Sequence, residues 1–194
     1  MPHNRLKQTA AVTFAAILAL AALPSPIAAE PSSRKIVVGE GIAGINIGMT
    51  ADEVIAVAGE PVSANRQPNG ALIFLAYDPP GIFGVYFNAA TGRVRLIVLA
   101  RTGYCTRHKV CLGAPGQVEA LRQAYGDRLL RFNDQDGSLT YRLLNDYGDH
   151  KILSEFTPSK DEDTLEQVIM LDWDGDIDTS SMANDGPPNT GDKN

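Results

Sequence analysis

The residues best placed for chemistry are two cysteines, Cys105 and Cys111, separated by residues 106–110. In an exported chain an even, closely paired count favours a disulfide. A two-thiolate metal half-site would need further ligands. Only His108 and His150 lie beyond the N-terminal segment, and His108 sits inside the cysteine loop. Arg101, Arg107, His108 and Lys109 gather around this loop in a chain of net charge −6. A bridge that holds such a basic tip rigid lowers the entropy cost of binding. The other reading is a structural staple whose charges keep it solvated.

Catalytic patterns are missing. There is no His-Glu-x-x-His, no Gly-x-Ser-x-Gly and no phosphate-binding glycine loop. A nucleophilic site would have to recruit His108 or His150, both in polar stretches, and an enzyme would need a cleft joining His150 to Asp146 or Asp149. Ser138 and Ser154 read as strand residues. Asp172, Asp174, Asp176 and Asp178 alternate as calcium-binding carboxylates can. Counted from Asp172, however, the sixth and twelfth places hold Ile177 and Ala183 instead of the Gly and Glu of an EF-hand. The expectation is no catalytic residue, no metal and no cofactor.

The N-terminus sets the compartment. His3, Arg5 and Lys7 precede an apolar run over residues 10–23, then Pro24, Pro26 and the small pair Ala28-Ala29. This is the pattern of a secretory signal at 1–29, too short for a comfortable membrane span. No Cys stands at the junction, so no lipid anchor is expected. Cleavage removes Arg5 and Lys7 and no carboxylate, which makes the mature chain more acidic still. Such a balance argues against nucleic-acid binding. No second long apolar run follows, so no membrane span is expected after cleavage.

The elements that must position these groups are partly written in the sequence. Thr50 followed by Glu53 is a capping box, and Met49 with Val54 is a hydrophobic staple. Val54, Val57 and Ala58 form an apolar stripe, and Gly59 with Pro61 ends it. These signals predict a helix over Ala51–Ala58. Strand-like runs follow at 71–77, 82–87 and 93–99. In the last, Arg93 and Arg95 are expected on one face and Val94, Leu96 and Val98 on the other. The order then returns. Val110-Cys111-Leu112-Gly113 resembles Ile45-Asn46-Ile47-Gly48, and Pro115 suits a first helical turn. Val118, Leu121 and Tyr125 form a second stripe. Three more strand-like runs lie at 138–144, 151–156 and 166–171.

The stretch Ile45-Asn46-Ile47-Gly48-Met49-Thr50-Ala51-Asp52-Glu53-Val54, with Ala58-Gly59-Glu60-Pro61, carries a resemblance to two related groups. One is the beta-lactamase inhibitory protein family, built from tandem helix-plus-sheet repeats. The other is the SmpA/OmlA (BamE-like) family of outer-membrane assembly lipoproteins. The likeness implies an envelope module whose sheet face or loops grip another protein. The chain departs from both groups. The loop Arg66-Gln67-Pro68-Asn69-Gly70 lacks the target-blocking carboxylate of the inhibitors, and the lipid-bearing Cys of the assembly factors is missing.

The expected fold is therefore α+β: two tandem helix-plus-three-strand repeats, sheets antiparallel, helices packed on one face. The expected organisation is a signal peptide (1–29), a polar lead (30–40), repeats at 41–104 and 105–175, and a disordered acidic tail (176–194). The expected function is a soluble, non-catalytic periplasmic or secreted module that binds another envelope or extracellular protein. The alternatives are a periplasmic enzyme or a small-ligand or calcium-binding protein. Strand alternation nominates Tyr86, Arg93, Arg95, Tyr141 and Arg142 for the binding face, and the loop adds Arg107, His108 and Lys109.

Overall fold

The computed structural model describes residues 33–77, 83–133 and 137–174. The expected signal peptide and tail lie outside them. In chain order the elements are β1 (Lys35–Val37), β2 (Gly41–Ile42), β3 (Ile45–Asn46), α1 (Ala51–Ala58), β4 (Ser63–Arg66), β5 (Leu72–Ala76), β6 (Phe83–Phe87), β7 (Val94–Leu99), β8 (Cys105–Thr106), α2 (Gln117–Tyr125) and a 3-10 turn (Gly126–Arg128). Then come β9 (Leu130–Asn133), β10 (Leu139–Asp146), β11 (Lys151–Pro158) and β12 (Leu165–Trp173).

These strands make two sheets. The large one has eight strands in the order β4-β5-β6-β7-β12-β11-β10-β9, with every neighbouring pair antiparallel. The small one has four, β3-β2-β1-β8, and its β1–β8 pairing is parallel.

The structure thus overturns the α+β expectation. The chain is mostly β, with two short helices among the described residues, and is not two helix-plus-three-strand repeats with helices packed on one face. Each helix contributes only two fully buried residues, Val54 and Ala58 from α1, Val118 and Leu121 from α2. Much of what packs on the large sheet comes instead from the small sheet (Ile36, Ile42, Ile45) and from Tyr104, Val110 and Leu112. The polar lead ends earlier than residue 40, because Lys35–Val37 is already a strand and Ile36 is only 2% exposed. The missed strands have a common cause. Two-residue strands carry no period, and all of β4 is exposed, so it shows no apolar alternation.

Helix α1 forms as its local signals dictate. The Thr50 side chain accepts the Glu53 amide and the Glu53 carboxylate accepts the Thr50 amide at 2.8 Å. Gly59 closes it at φ 80°. Helix α2 has no such local device. Its N-cap is Gly116 at φ 71°, with no side chain to offer, and Pro115 lies before the helix instead of in its first turn. Asp163, in the turn between β11 and β12, supplies the cap. Its carboxylate accepts the Gly116 amide at 2.8 Å and its carbonyl accepts the Gln117 amide at 2.9 Å.

Candidate functional site

The large sheet has one face in the core and one face away from it. Leu75, Val85, Ile97, Met170, Phe156 and Leu143 belong to the core. Their strand neighbours point the opposite way. Across six strands the register aligns Phe74, Tyr86, Leu96, Leu171, Leu153 and Leu144 in one row on that second face. None of them belongs to the main core cluster, although Leu153 is buried and Phe74, Leu96, Leu171 and Leu144 are half-buried. A parallel row runs Gly84, Val98, Ile169, Glu155, Arg142. The Phe74 and Tyr86 rings meet at 4.6 Å over Gly84, where a Cβ would stand 2.7 Å from the Phe74 ring. Gly84 therefore gives the aromatic pair its seat. Tyr86 remains 39% exposed.

A bulge makes this face more apolar than the sequence suggests. Tyr86 pairs with Leu96 and Phe87 with Val94, so Arg95 is an extra residue on β7. Before the bulge Val94 faces the core; after it Ile97 and Leu99 do, and Leu96 and Val98 move to the second face. The expected split, with Val94, Leu96 and Val98 sharing one face, fails for that reason.

Of the nominated residues, Tyr86 and Arg142 lie on the second face. Arg142 Nε donates to Glu155 Oε2 at 2.6 Å, and its guanidinium lies 4.5 Å from the Phe132 ring centroid. Arg95 is exposed at the bulge. Arg93 is not part of the face: it precedes β7, bridges to Thr50 and donates to the Gly48 carbonyl at 2.8 Å. Tyr141 is also displaced from the face. It neighbours Arg142 on one strand, so the two must point to opposite sides, and Tyr141 is only 2% exposed.

Tyr141 instead anchors a charged cluster that sequence reasoning did not find. Its hydroxyl donates to Glu162 Oε2 at 2.8 Å and accepts from Arg122. Glu162 also receives Arg122 at 3.0 Å and Arg131 at 3.3 Å. The Tyr141 hydrogen bond, followed by the two guanidinium charges, outweighs the cost of burial and holds the Glu162 carboxyl below its ordinary range. Burial and the bond to Glu162 push the Tyr141 phenol up. The cluster ties α2, β9 and β10 to the β11–β12 turn. Its members come from four separate segments, so no local spacing signals it.

The disulfide between Cys105 and Cys111 is present. It closes a turn in which Thr106, buried, accepts the His108 and Val110 amides at 3.2 and 3.3 Å. Arg107, His108 and Lys109 are exposed on it. Arg107 Nε donates to His108 Nε2 at 3.1 Å, and the His108 ring meets Tyr125 edge-on at 5.4 Å.

The residues considered for catalysis do not assemble. His150 Nδ1 pairs with Asp149 at 2.7 Å and stacks on Tyr147, all on an exposed turn, and this bond lowers the Asp149 pKa. Ser154 is sealed in the interior, where its Oγ accepts the Gly39 amide at 3.0 Å. Among the described residues no three His, Cys, Asp or Glu side chains group to hold a metal. Asp176 and Asp178 lie outside the described residues. No helix among the described residues is long and apolar enough to cross a membrane.

Comparison of the chain with protein-family models, with curated proteins and with solved structures found no match.

Proposed function

We propose that this chain is an exported, non-catalytic module of the periplasm or extracellular space that grips another protein with the second face of its large sheet. The observation that carries this reading is the row Phe74, Tyr86, Leu96, Leu171, Leu153 and Leu144, apolar in register across six strands and outside the core cluster. A row of half-buried apolar side chains around the exposed Tyr86 is the kind of surface that a partner can cover. The aromatic pair Phe74 and Tyr86 at one end of the row and Arg142 at the other are residue types enriched among interface anchors. The signal-like N-terminus and the disulfide fit export. The likeness of residues 45–54 and 58–61 to the inhibitor and assembly families agrees with an envelope protein of this kind.

The test immobilises the exported chain and a Leu96→Lys/Leu171→Lys variant, and exposes each to an envelope extract. A partner retained by the parent should bind the variant about thirtyfold more weakly, the effect of losing a central anchor. Leu96 and Leu171 are half-buried and directly opposed across β7 and β12, so the paired lysines should cost some stability. Circular dichroism establishes that the variant is folded before retention is compared. Equal retention by both chains, with both folded, would sink the reading.

A further inference from the structure

A cleft of about 600 Å³ opens where the small sheet meets the end of α2. That volume lies in the range of small-molecule sites. Its charge is opposite to that of the chain. Four cations, Arg34, Lys35, Arg107 and Arg128, line it against a single carboxylate, Glu40, while the chain as a whole carries −6. Two exposed apolar side chains also face into its lining, Val37 at 41% and Tyr147 at 49% exposure.

Asn145 also lines the cleft. Its Oδ1 accepts from Arg128 at 3.1 Å. That bond aligns the amide and leaves Nδ2 as a buried donor with no hydrogen-bond partner among the described residues. Such a group costs free energy unless something accepts from it. The backbone crowds it in place. At Gly39 (φ +83°) a Cβ would stand 2.5 Å from the Asn145 Cγ, so only glycine permits the approach. The Tyr147 hydroxyl donates to the Gly39 carbonyl at 3.0 Å and fixes the other side of the same corner. The disulfide turn also lines the cleft, through Cys105, Thr106 and Arg107. A site held by a covalent bridge, a glycine contact and a side-chain hydrogen bond is preorganised, which lowers the cost of binding.

We infer that this cleft binds a small organic anion, a carboxylate or phosphate monoester on an apolar body. The anionic end meets Arg128 and Arg107, both in the lining, since charged hydrogen bonds from guanidinium are the strong ones. The apolar body lies along Val37 and Tyr147. This site is separate from the protein-binding face and stands whether or not that reading holds.

Calorimetric titration of the exported chain tests it, with phenyl phosphate as probe and benzyl alcohol as uncharged control. Phenyl phosphate should bind and benzyl alcohol should not. Arg128→Gln and Arg107→Gln, both at exposed positions, should each weaken phenyl phosphate about tenfold, the loss of one charge-assisted bond. Leu96→Lys/Leu171→Lys should leave it unchanged, which separates this site from the sheet face. Sedimentation with phosphatidylglycerol vesicles, against phosphatidylcholine vesicles, distinguishes the sources of the anion. Arg128-dependent sedimentation with the anionic vesicles makes the ligand a lipid headgroup; its failure, with phenyl phosphate bound, makes it a free molecule. Benzyl alcohol binding as tightly as phenyl phosphate overturns the inference. So does unchanged affinity in both cation variants, or the failure of phenyl phosphate and the anionic vesicles alike.

Discussion

The Asp163 carboxylate accepts the Gly116 amide at 2.8 Å, so α2 is capped by a residue 47 positions further along the chain. A helix N-terminus presents amides without intrahelical acceptors, and Gly116 has no side chain to satisfy them. Asp163→Ala should therefore cost about 1 kcal/mol, the ordinary effect of losing a helix cap. Thr50→Ala should cost a similar amount at α1. The two sites share no partner, so the double variant should lose the sum. Urea titration reads all three. An unchanged midpoint for Asp163→Ala would leave α2 held by packing and by the Asp163 carbonyl, which the substitution keeps.

The contrast between the two helices explains what could be read from the sequence. Thr50 and Glu53 lie within one turn of each other, so that cap is visible as a spacing. Asp163 meets Gly116 only through the tertiary fold. The same holds for Glu162, Tyr141, Arg122 and Arg131. The second sheet face was legible in position but not in membership. Tyr86 could be assigned by alternation, whereas the extra residue Arg95 shifts the period within β7 and brings Leu96 and Val98 onto the face. The mostly β architecture was hidden because β2, β3 and β8 are two residues each and β4 is wholly exposed. The disulfide needed only compartment and pairing, and both are local.

Glu162 gives the acid limb of stability a defined sign. Its carboxyl is held below the unfolded value of about 4.5, first by the Tyr141 hydrogen bond and then by Arg131 and Arg122. A group with a depressed folded pKa contributes stability that is fully present above the unfolded pKa and is lost as pH falls through the folded one. Glu162→Gln should accordingly lower the melting midpoint at pH 7. The gap to the parent should narrow as pH falls below about 4.5. A gap that is constant from pH 7 to pH 3 would mean that the carboxylate charge contributes nothing.

The Cys105–Cys111 bridge closes a short loop, with a sequence separation of 6. Loop-closure entropy for so few residues corresponds to about 2 kcal/mol. Reduction, or the pair Cys105→Ala/Cys111→Ala, should lower stability by about that amount. Because the bridge also walls the cleft, it should weaken phenyl phosphate binding as well. Non-reducing mass spectrometry of the exported chain should show the mass of the oxidised pair. Two freely alkylated thiols in freshly exported protein would count against both expectations.

Lys109 permits the backbone and the charge of the same turn to be tested apart. It adopts φ 61°, a left-handed conformation that costs an L-residue roughly 1 kcal/mol, and its amide bonds to the Thr106 carbonyl at 3.0 Å. Glycine takes this conformation freely, asparagine tolerates it, and a β-branched residue does not. Lys109→Gly, Lys109→Asn and Lys109→Val each remove one positive charge, so they share any electrostatic effect and differ in strain. Melting midpoints should place Gly and Asn at or above the parent and Val below it by about 1 kcal/mol or more. Val as the most stable of the three would sink the turn geometry. The association rate with a captured partner should respond differently. If the basic turn steers encounter with an acidic surface, all three variants should slow association equally and flatten its salt dependence, because exposed charges are screened beyond about 8 Å at physiological ionic strength. If the turn is only a staple, the midpoints should separate as stated while the association rates stay together with that of the parent.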